Sequence, residues 1–199
     1  MKNLFIAFEG IDGAGKTTLA GMTAHTLGYS AMNSVPDFLR PALMGVSRSN
    51  SPLSTFHFFS LCNSLRSKEI EEQILKTGVI IDRYIFSTYA YHRLMLGKNI
   101  EESIAIYKDK EFGFRFPDIT FFVTASKDAV SHRIRKREQG SAHRQWYGDA
   151  VSLSMDVTLS YLETFKKFGI PYIHIDTTDR SAEEVHSVII KHILEKFAL

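Results

Sequence analysis

Leu4-Phe5-Ile6-Ala7-Phe8-Glu9-Gly10-Ile11-Asp12-Gly13-Ala14-Gly15-Lys16-Thr17 is the stretch that decides the fold. Leu4 to Phe8 is a short apolar run of strand type, and a segment of helical period opens near Gly15. Between them, Gly10 to Thr17 fills every fixed position of the P-loop pattern, in the strand–loop–helix context the pattern requires. Gly10, Gly13, Ala14 and Gly15 let backbone N–H groups turn inward around phosphate oxygens without a bulky side chain in the way. The helix start adds partial positive charge. Lys16 reaches the β- and γ-phosphates of a bound nucleotide as a mobile cation, and Thr17 offers a hydroxyl to Mg²⁺.

Further along, Val79-Ile80-Ile81-Asp82 is an apolar strand that ends in a carboxylate. This places Asp82 beside the cradle, where it holds Mg²⁺ directly or through water. Ile119 to Val123 and Ile170 to Ile175 are two more strands, and Tyr29 to Ser34 is a weaker one. Segments of helical period lie near residues 15–27, 52–76, 86–110, 126–138, 148–168 and 181–197. Ser181 followed by Glu184 reads as a capping box that opens the last of them. Apolar strands joined by crossover helices imply a doubly wound α/β fold. The expected form is a three-layer P-loop NTPase-type domain, a five-stranded parallel sheet flanked by helices, with ligands at the carboxyl ends of the strands.

The chain has 199 residues, which fits a single domain over 1–199 with a small mobile part. An apolar fraction of 44% and a charged fraction of 23% exclude disorder, collagen and coiled coil. The net charge of +2 gives no global field for coating nucleic acid, so nucleic acid is disfavoured as a partner. Cys62 is the single cysteine and cannot form an internal disulfide, which fits a reducing compartment. No apolar run reaches the ~18 residues that span a bilayer. Glu9 ends the first apolar run early, and no signal cleavage site follows. A cytoplasmic protein with no membrane partner is expected.

The guanine-reading Asn-Lys-x-Asp of regulatory GTPases is absent; Ala125-Ser126-Lys127-Asp128 has neither the Asn nor the spacing. A small kinase needs an acceptor pocket, and Asp82-Arg83-Tyr84 provides a place for one. The Arg83 fork can grip an acceptor phosphate bidentately. The polar segment from Ser131 to Asp149 carries Arg133, Arg135, Lys136, Arg137 and Arg144. We read residues 133–148 as a lid whose Arg133, Arg137 and Arg144 close over the phosphates and exclude water. The same charges also suit a solvated helix face or a nucleic-acid contact. A phosphate acceptor is already nucleophilic at neutral pH, so none of the eight histidines is required as a base.

These residues together resemble the thymidylate kinase family. Phe8-Glu9-Gly10-Ile11-Asp12-Gly13-Ala14-Gly15-Lys16-Thr17-Thr18 is similar to that family's P-loop, including its Phe-Glu-Gly opening. Asp82-Arg83-Tyr84, with Ser87, Ala90 and Tyr91, resembles its Asp-Arg-Tyr signature. Phe116-Pro117-Asp118-Ile119-Thr120, Tyr161-Leu162-Glu163 and Ile175-Asp176 fit as well. The resemblance implies Mg²⁺-dependent transfer of the ATP γ-phosphate to a nucleoside monophosphate, dTMP giving dTDP. It implies that Lys16, Thr17 and Thr18 serve ATP and metal, that Asp12 lies near the acceptor sugar or phosphate, and that Arg83 holds the acceptor phosphate. It also implies a homodimer through long helices such as the one at 52–76, and the type of member whose basic residues sit in the lid.

The acceptor pocket departs from the family pattern. Ser34-Val35-Pro36 stands where an Arg-Glu-Pro stretch is usual, leaving Arg40 as the substitute arginine. Phe59 can stack on a base, but the residue four positions later, usually an arginine, is Asn63; Arg66 lies about one helical turn further on. His92 replaces the usual Gln after Ala90-Tyr91. With Tyr84 and Tyr91 these residues make up the expected acceptor site. Two alternatives stay open: a kinase for another (deoxy)nucleotide or a nucleoside, with Glu9 or Asp12 as base, and an ATP-dependent binding or switch protein that uses the basic flap.

Overall fold

The structure, a computed structural model, describes residues 3–97, 100, 114–138 and 154–197; at 137, 138 and 154 it describes the backbone alone. Five parallel strands form one sheet in the order β2-β3-β1-β4-β5. They are β1 Phe5–Gly10, β2 Ser30–Asn33, β3 Val79–Asp82, β4 Ile119–Thr124 and β5 Ile173–Asp176. The flanking helices are α1 Lys16–Leu27, α2 Arg40–Arg48, α3 Pro52–Gln73, α4 Ile85–Leu96, α5 Lys127–Glu138, α6 Ser154–Phe168 and α7 Ala182–Phe197. The α/β parallel-sheet architecture expected from the sequence is the one observed.

β1 is the middle strand, with Ile6 opposite Ile80 on one side and Ile119 on the other. All six of its residues are buried, as a central parallel strand covered on both faces demands. The loop after β1 and the end of β3 therefore emerge side by side at the carboxyl edge of the sheet. α1 packs on β1, β3 and α7, while α4 packs on α3 and α6. Rings weld α4, α6 and β4 together: Phe86 meets Phe165 and Phe168, and Phe122 meets Tyr161 and Phe165.

Local signals explain most element ends. Ser51 caps α3 by accepting from the Ser54 N–H, and Pro52 sits in its first turn. The capping box is present, with Ser181 N donating to Glu184 Oε2 at 2.8 Å and Glu184 N to Ser181 Oγ at 3.1 Å. β5 begins later than the apolar run from Ile170 indicates. Gly169, at φ 64°, closes α6, and Ile170 N is still bonded to Phe165 O, so these residues belong to the helix stop. The helix expected over 86–110 ends at Leu96, because Gly97 takes φ 60°. The remainder of that expectation at 98, 99 and 101–110 lies outside the described residues. So do 139–148 of the expected lid and 148–153 of the helix expected over 148–168; residues 133–138 continue α5.

Helix α2, preceded by a 3-10 turn at Asp37–Leu39, is not anticipated by the sequence pattern. It spans nine residues, none of them fully buried, and so short a segment falls below the length over which a helical pattern is read. Its Leu43 and Val46 pack on a small cluster of Val35, Phe58 and Cys62, separate from the main core.

Two glycines predict opposite outcomes. Gly10 has φ +135°, and a Cβ there would lie 1.9 Å from Val123 O; Gly45 sits in α2 with open space around it. Gly10→Ala is expected to cost at least about 3 kcal/mol, and Gly45→Ala to gain about 0.5–1 kcal/mol from helix propensity, both read from urea denaturation midpoints.

Candidate active site

The loop after β1 turns back over the sheet edge. Gly10 lies flat against the β4 backbone, and Gly15, at φ +93°, turns the chain into α1. No acidic side chain lies in the first turn of α1, so nothing there competes with an anion for its free N–H groups. Lys16 is buried, and its Nζ donates to Ile11 O at 2.6 Å. Burial, and after it the Arg83 cation, lowers the Lys16 ammonium to about 8, while Asp12, Asp82 and Glu9 pull the other way. A cavity of about 430 Å³ opens above this loop, lined by Asp12, Gly13, Gly15, Lys16, Thr17, Thr18, Arg83, Arg133 and Ile134.

Thr17 Oγ1 donates to Asp82 Oδ2 at 2.5 Å, which joins the start of α1 to the end of β3. The other oxygen, Asp82 Oδ1, is buried with no hydrogen-bond partner. The Thr17 hydroxyl, which lines the cavity, and the uncommitted oxygen of the carboxylate bonded to it fit Mg²⁺. That ion commonly takes one or two protein oxygens and completes its shell with waters and phosphate.

Beside this pair stands Arg83. Its backbone has φ +65°, the left-handed region that non-glycine residues avoid, and its N–H donates to Phe8 O at 3.0 Å. The guanidinium NH2 donates to Asp12 Oδ1 at 2.6 Å and to Tyr91 OH at 3.2 Å. NH1 donates to Ser87 Oγ and Tyr161 OH, both at 3.2 Å. Burial opposes charge on Asp12, but Arg83 and Lys16 outweigh it and hold that carboxyl well below the usual range. Glu9, on β1, is fully buried and accepts from Tyr84 N at 3.0 Å and from the Ser87 hydroxyl. It therefore caps the start of α4 from beneath. Burial raises the Glu9 pKa, against the pull of Ser87, Arg83 and the Tyr84 N–H.

Arg133 reaches the cradle from α5. Its NH1 donates to Gly13 O at 3.3 Å and Thr177 Oγ1 at 2.8 Å, and its NH2 to Thr177 O at 2.7 Å. It stands between the first cavity and a second of about 250 Å³, which shares Gly15 and Thr18 and adds Thr177, Arg180 and Val185. Thr177 and Arg180 follow β5 and carry no motif, so nothing local in the sequence marks them.

The expected residues thus divide. Gly13, Ala14, Gly15, Lys16, Thr17, Thr18, Asp12, Arg83 and Arg133 come together around the two cavities, with Asp82 and Tyr91 bonded to members of that set. Tyr84 does not line a cavity: its ring is fully buried between Phe5 and Phe114, because its neighbour's left-handed turn sends it into the core. Arg40 pairs with Asp37 on an exposed turn. Arg66 spends its donors on Asn33 O, Val35 O and Glu69, tying α3 to the chain after β2. Asn63 Nδ2 donates to Thr88 Oγ1 at 2.9 Å, and His92 lies between Thr88 O and Thr55 Oγ1, so both bridge α3 and α4. Burial lowers His92 to about 4, which keeps it neutral. Phe59 is partly buried, with its ring against Phe58 and His92. Arg144 and the Arg137 side chain lie outside the described residues.

This arrangement has relatives. The Thymidylate kinase family model matches residues 8–189. A probable thymidylate kinase of Methanocaldococcus jannaschii is 31% identical over 198 residues, covering 96% of each chain. A thymidylate kinase of Caldanaerobacter subterraneus is 29% identical, covering 98% of this chain and 97% of that one. The fold is that of the Candida albicans thymidylate kinase structure (TM-score 0.76, 21% identity, 98% and 92% coverage). It is also that of a Mycoplasma mycoides deoxyadenosine kinase solved with dATP (TM-score 0.72, 19% identity, 96% and 100% coverage). With the phosphate loop, the Asp82-Arg83 pair and nearly the whole length matched, the chain belongs to the thymidylate kinase family, a family of nucleoside monophosphate kinases.

Proposed function

We propose that the protein transfers the γ-phosphate of ATP to dTMP, giving dTDP and ADP. The observation that carries this reading is one cavity bounded by a phosphate loop at one end and an arginine held by exchangeable partners at the other. The α1 N–H groups and Lys16 take the β- and γ-phosphates. The second cavity, between Arg133, Thr177 and Arg180, receives the nucleoside part of ATP. Thr17 and Asp82 would hold Mg²⁺, which when bound neutralises charge spread over the phosphate oxygens.

On the acceptor side, Arg83 turns from Asp12 to the dTMP phosphate, and Asp12, so released, takes a sugar hydroxyl. Its fork aligns the attacking oxygen, and positioning of this kind supplies much of the rate in phosphoryl transfer. No side chain has to remove a proton, since the acceptor phosphate is largely ionised at neutral pH. Tyr91 supports the sugar end, and Phe59 is assigned to the base, while Asn63 stays engaged with Thr88 between α3 and α4. Arg133, with Arg137 and Arg144 as lid cations, excludes water. A homodimer through α3, on which Leu53 and Leu61 are each 51% exposed, and a cytoplasmic setting complete the reading. Among the described residues no helix is long and apolar enough to cross a membrane.

A coupled ADP-release assay over nucleosides and monophosphates is expected to give the highest kcat/KM with dTMP; preference for a free nucleoside would overturn the reading. In that assay Lys16→Ala lowers kcat by about a hundredfold to a thousandfold. Asp82→Asn raises the Mg²⁺ concentration for half-maximal rate by about tenfold or more. The charged form of Lys16 is the active one. Because its ammonium sits at about 8 in the free enzyme, kcat/KM for ATP should fall as pH rises above that value. A profile flat to pH 9.5 would refute this assignment.

A further inference from the structure

The two edges of the Arg83 guanidinium have different neighbours. NH2 faces Asp12 and Tyr91, and Asp12 lines the cavity, so this edge has partners that a ligand can replace. NH1 faces the interior and meets Ser87 Oγ and Tyr161 OH at 3.2 Å. Those two hydroxyl oxygens lie 2.6 Å apart. Behind them is the Glu9 carboxylate, 0% exposed, which accepts from the Ser87 hydroxyl; Tyr161 OH lies 3.4 Å from the same oxygen and 3.2 Å from Gly10 O. A hydroxyl that donates to a carboxylate or a carbonyl is left as an acceptor on its other side. With Ser87 donating to Glu9 and Tyr161 donating to Ser87 Oγ at 2.6 Å, each oxygen keeps a lone pair for the Arg83 N–H.

We infer that Glu9, acting through the Ser87 and Tyr161 hydroxyls, is a positioning group that anchors the inner edge of Arg83, so that only the outer edge is exchanged when an acceptor phosphate arrives. The inference rests on the reading that Arg83 grips that phosphate. Three elements contribute, β1 through Glu9, α4 through Ser87 and α6 through Tyr161, so the guanidinium is fixed relative to the sheet that carries the phosphate loop. The anchor also opposes relaxation of the left-handed backbone at Arg83. Side chains held from behind in this way keep reactive geometry within the narrow tolerance that transfer needs.

The test is a set of mutant cycles. Ser87→Ala and Tyr161→Phe are each made in the native chain and in Arg83→Ala, with kinetics measured in both substrates. In the native background each is expected to lower kcat/KM for dTMP about tenfold, the weight of a hydrogen bond to a charged group. The KM for ATP should stay within about twofold. In the Arg83→Ala background the same substitutions should have less than about a twofold effect, because the group they position is gone. Ser87→Thr keeps the hydroxyl and should recover most of the activity. Glu9→Gln should show the same pattern; if it lowers the melting temperature, the hydroxyl variants decide. A tenfold loss that persists without Arg83, an equal rise in the KM for ATP, or no loss in the native background overturns the anchor. If Arg83→Ala itself leaves kcat/KM for dTMP unchanged, the reading of Arg83 fails first and the anchor with it.

Discussion

The site depends on a glycine pressed onto its neighbour strand. Gly10 ends β1 at φ +135° with the Val123 carbonyl where a Cβ would stand. Only a residue without a side chain lets β1 and β4 stay in register to their last pair, Gly10 with Val123, while the chain turns at once into the phosphate loop. That close approach sets the height of the loop above the sheet. It also brings Lys16 and Thr17 level with Asp82, the final residue of β3. Moving this contact outward would separate the hydroxyl from the carboxylate, although neither residue touches Gly10.

The same compactness crowds charge. Lys16 feels Arg83, Asp12, Asp82 and Glu9, and Arg83 in turn feels Asp12 and Asp82. Within the protein the cations are spoken for: Lys16 by the Ile11 carbonyl and Arg83 by Asp12. A ligand must therefore displace internal partners instead of filling a bare positive pocket. A single weak anion gains little by that exchange. A polyphosphate with its metal, or a phosphate attached to a nucleoside, brings enough oxygens and contact area to offset the loss.

Much of this was legible in the residues, and the rest was hidden for physical reasons. β1, the loop and α1 are readable because backbone conformation, charge and strand context all constrain the same few positions. Asp82 and Arg83 are readable because they end a strand beside that loop. The acceptor side is harder. Arg66, Asn63 and His92 have the chemistry of ligand groups, yet the structure engages them in joining α3 to α4 and to the chain after β2. Pattern alone does not separate a polar residue that faces a ligand from one that satisfies a buried neighbour. Tyr84 fails the expectation through the left-handed turn of the residue before it, which has no sequence signature outside glycine and asparagine. Thr177 and Arg180 come to the site from a distant part of the chain, so only tertiary structure reveals them.

The small apolar cluster beneath α2 has a practical consequence. It contains Cys62, the chain's single thiol, which is completely buried; burial pushes it up to about 11. In the closed molecule the sulfur is neither reachable nor ionised, and the thiolate is the form that reacts. An alkylating reagent can therefore label it only when α2 lifts away or the chain opens further. The labelling rate, followed over time, becomes a clock for that opening, built into the native sequence and needing no engineered probe.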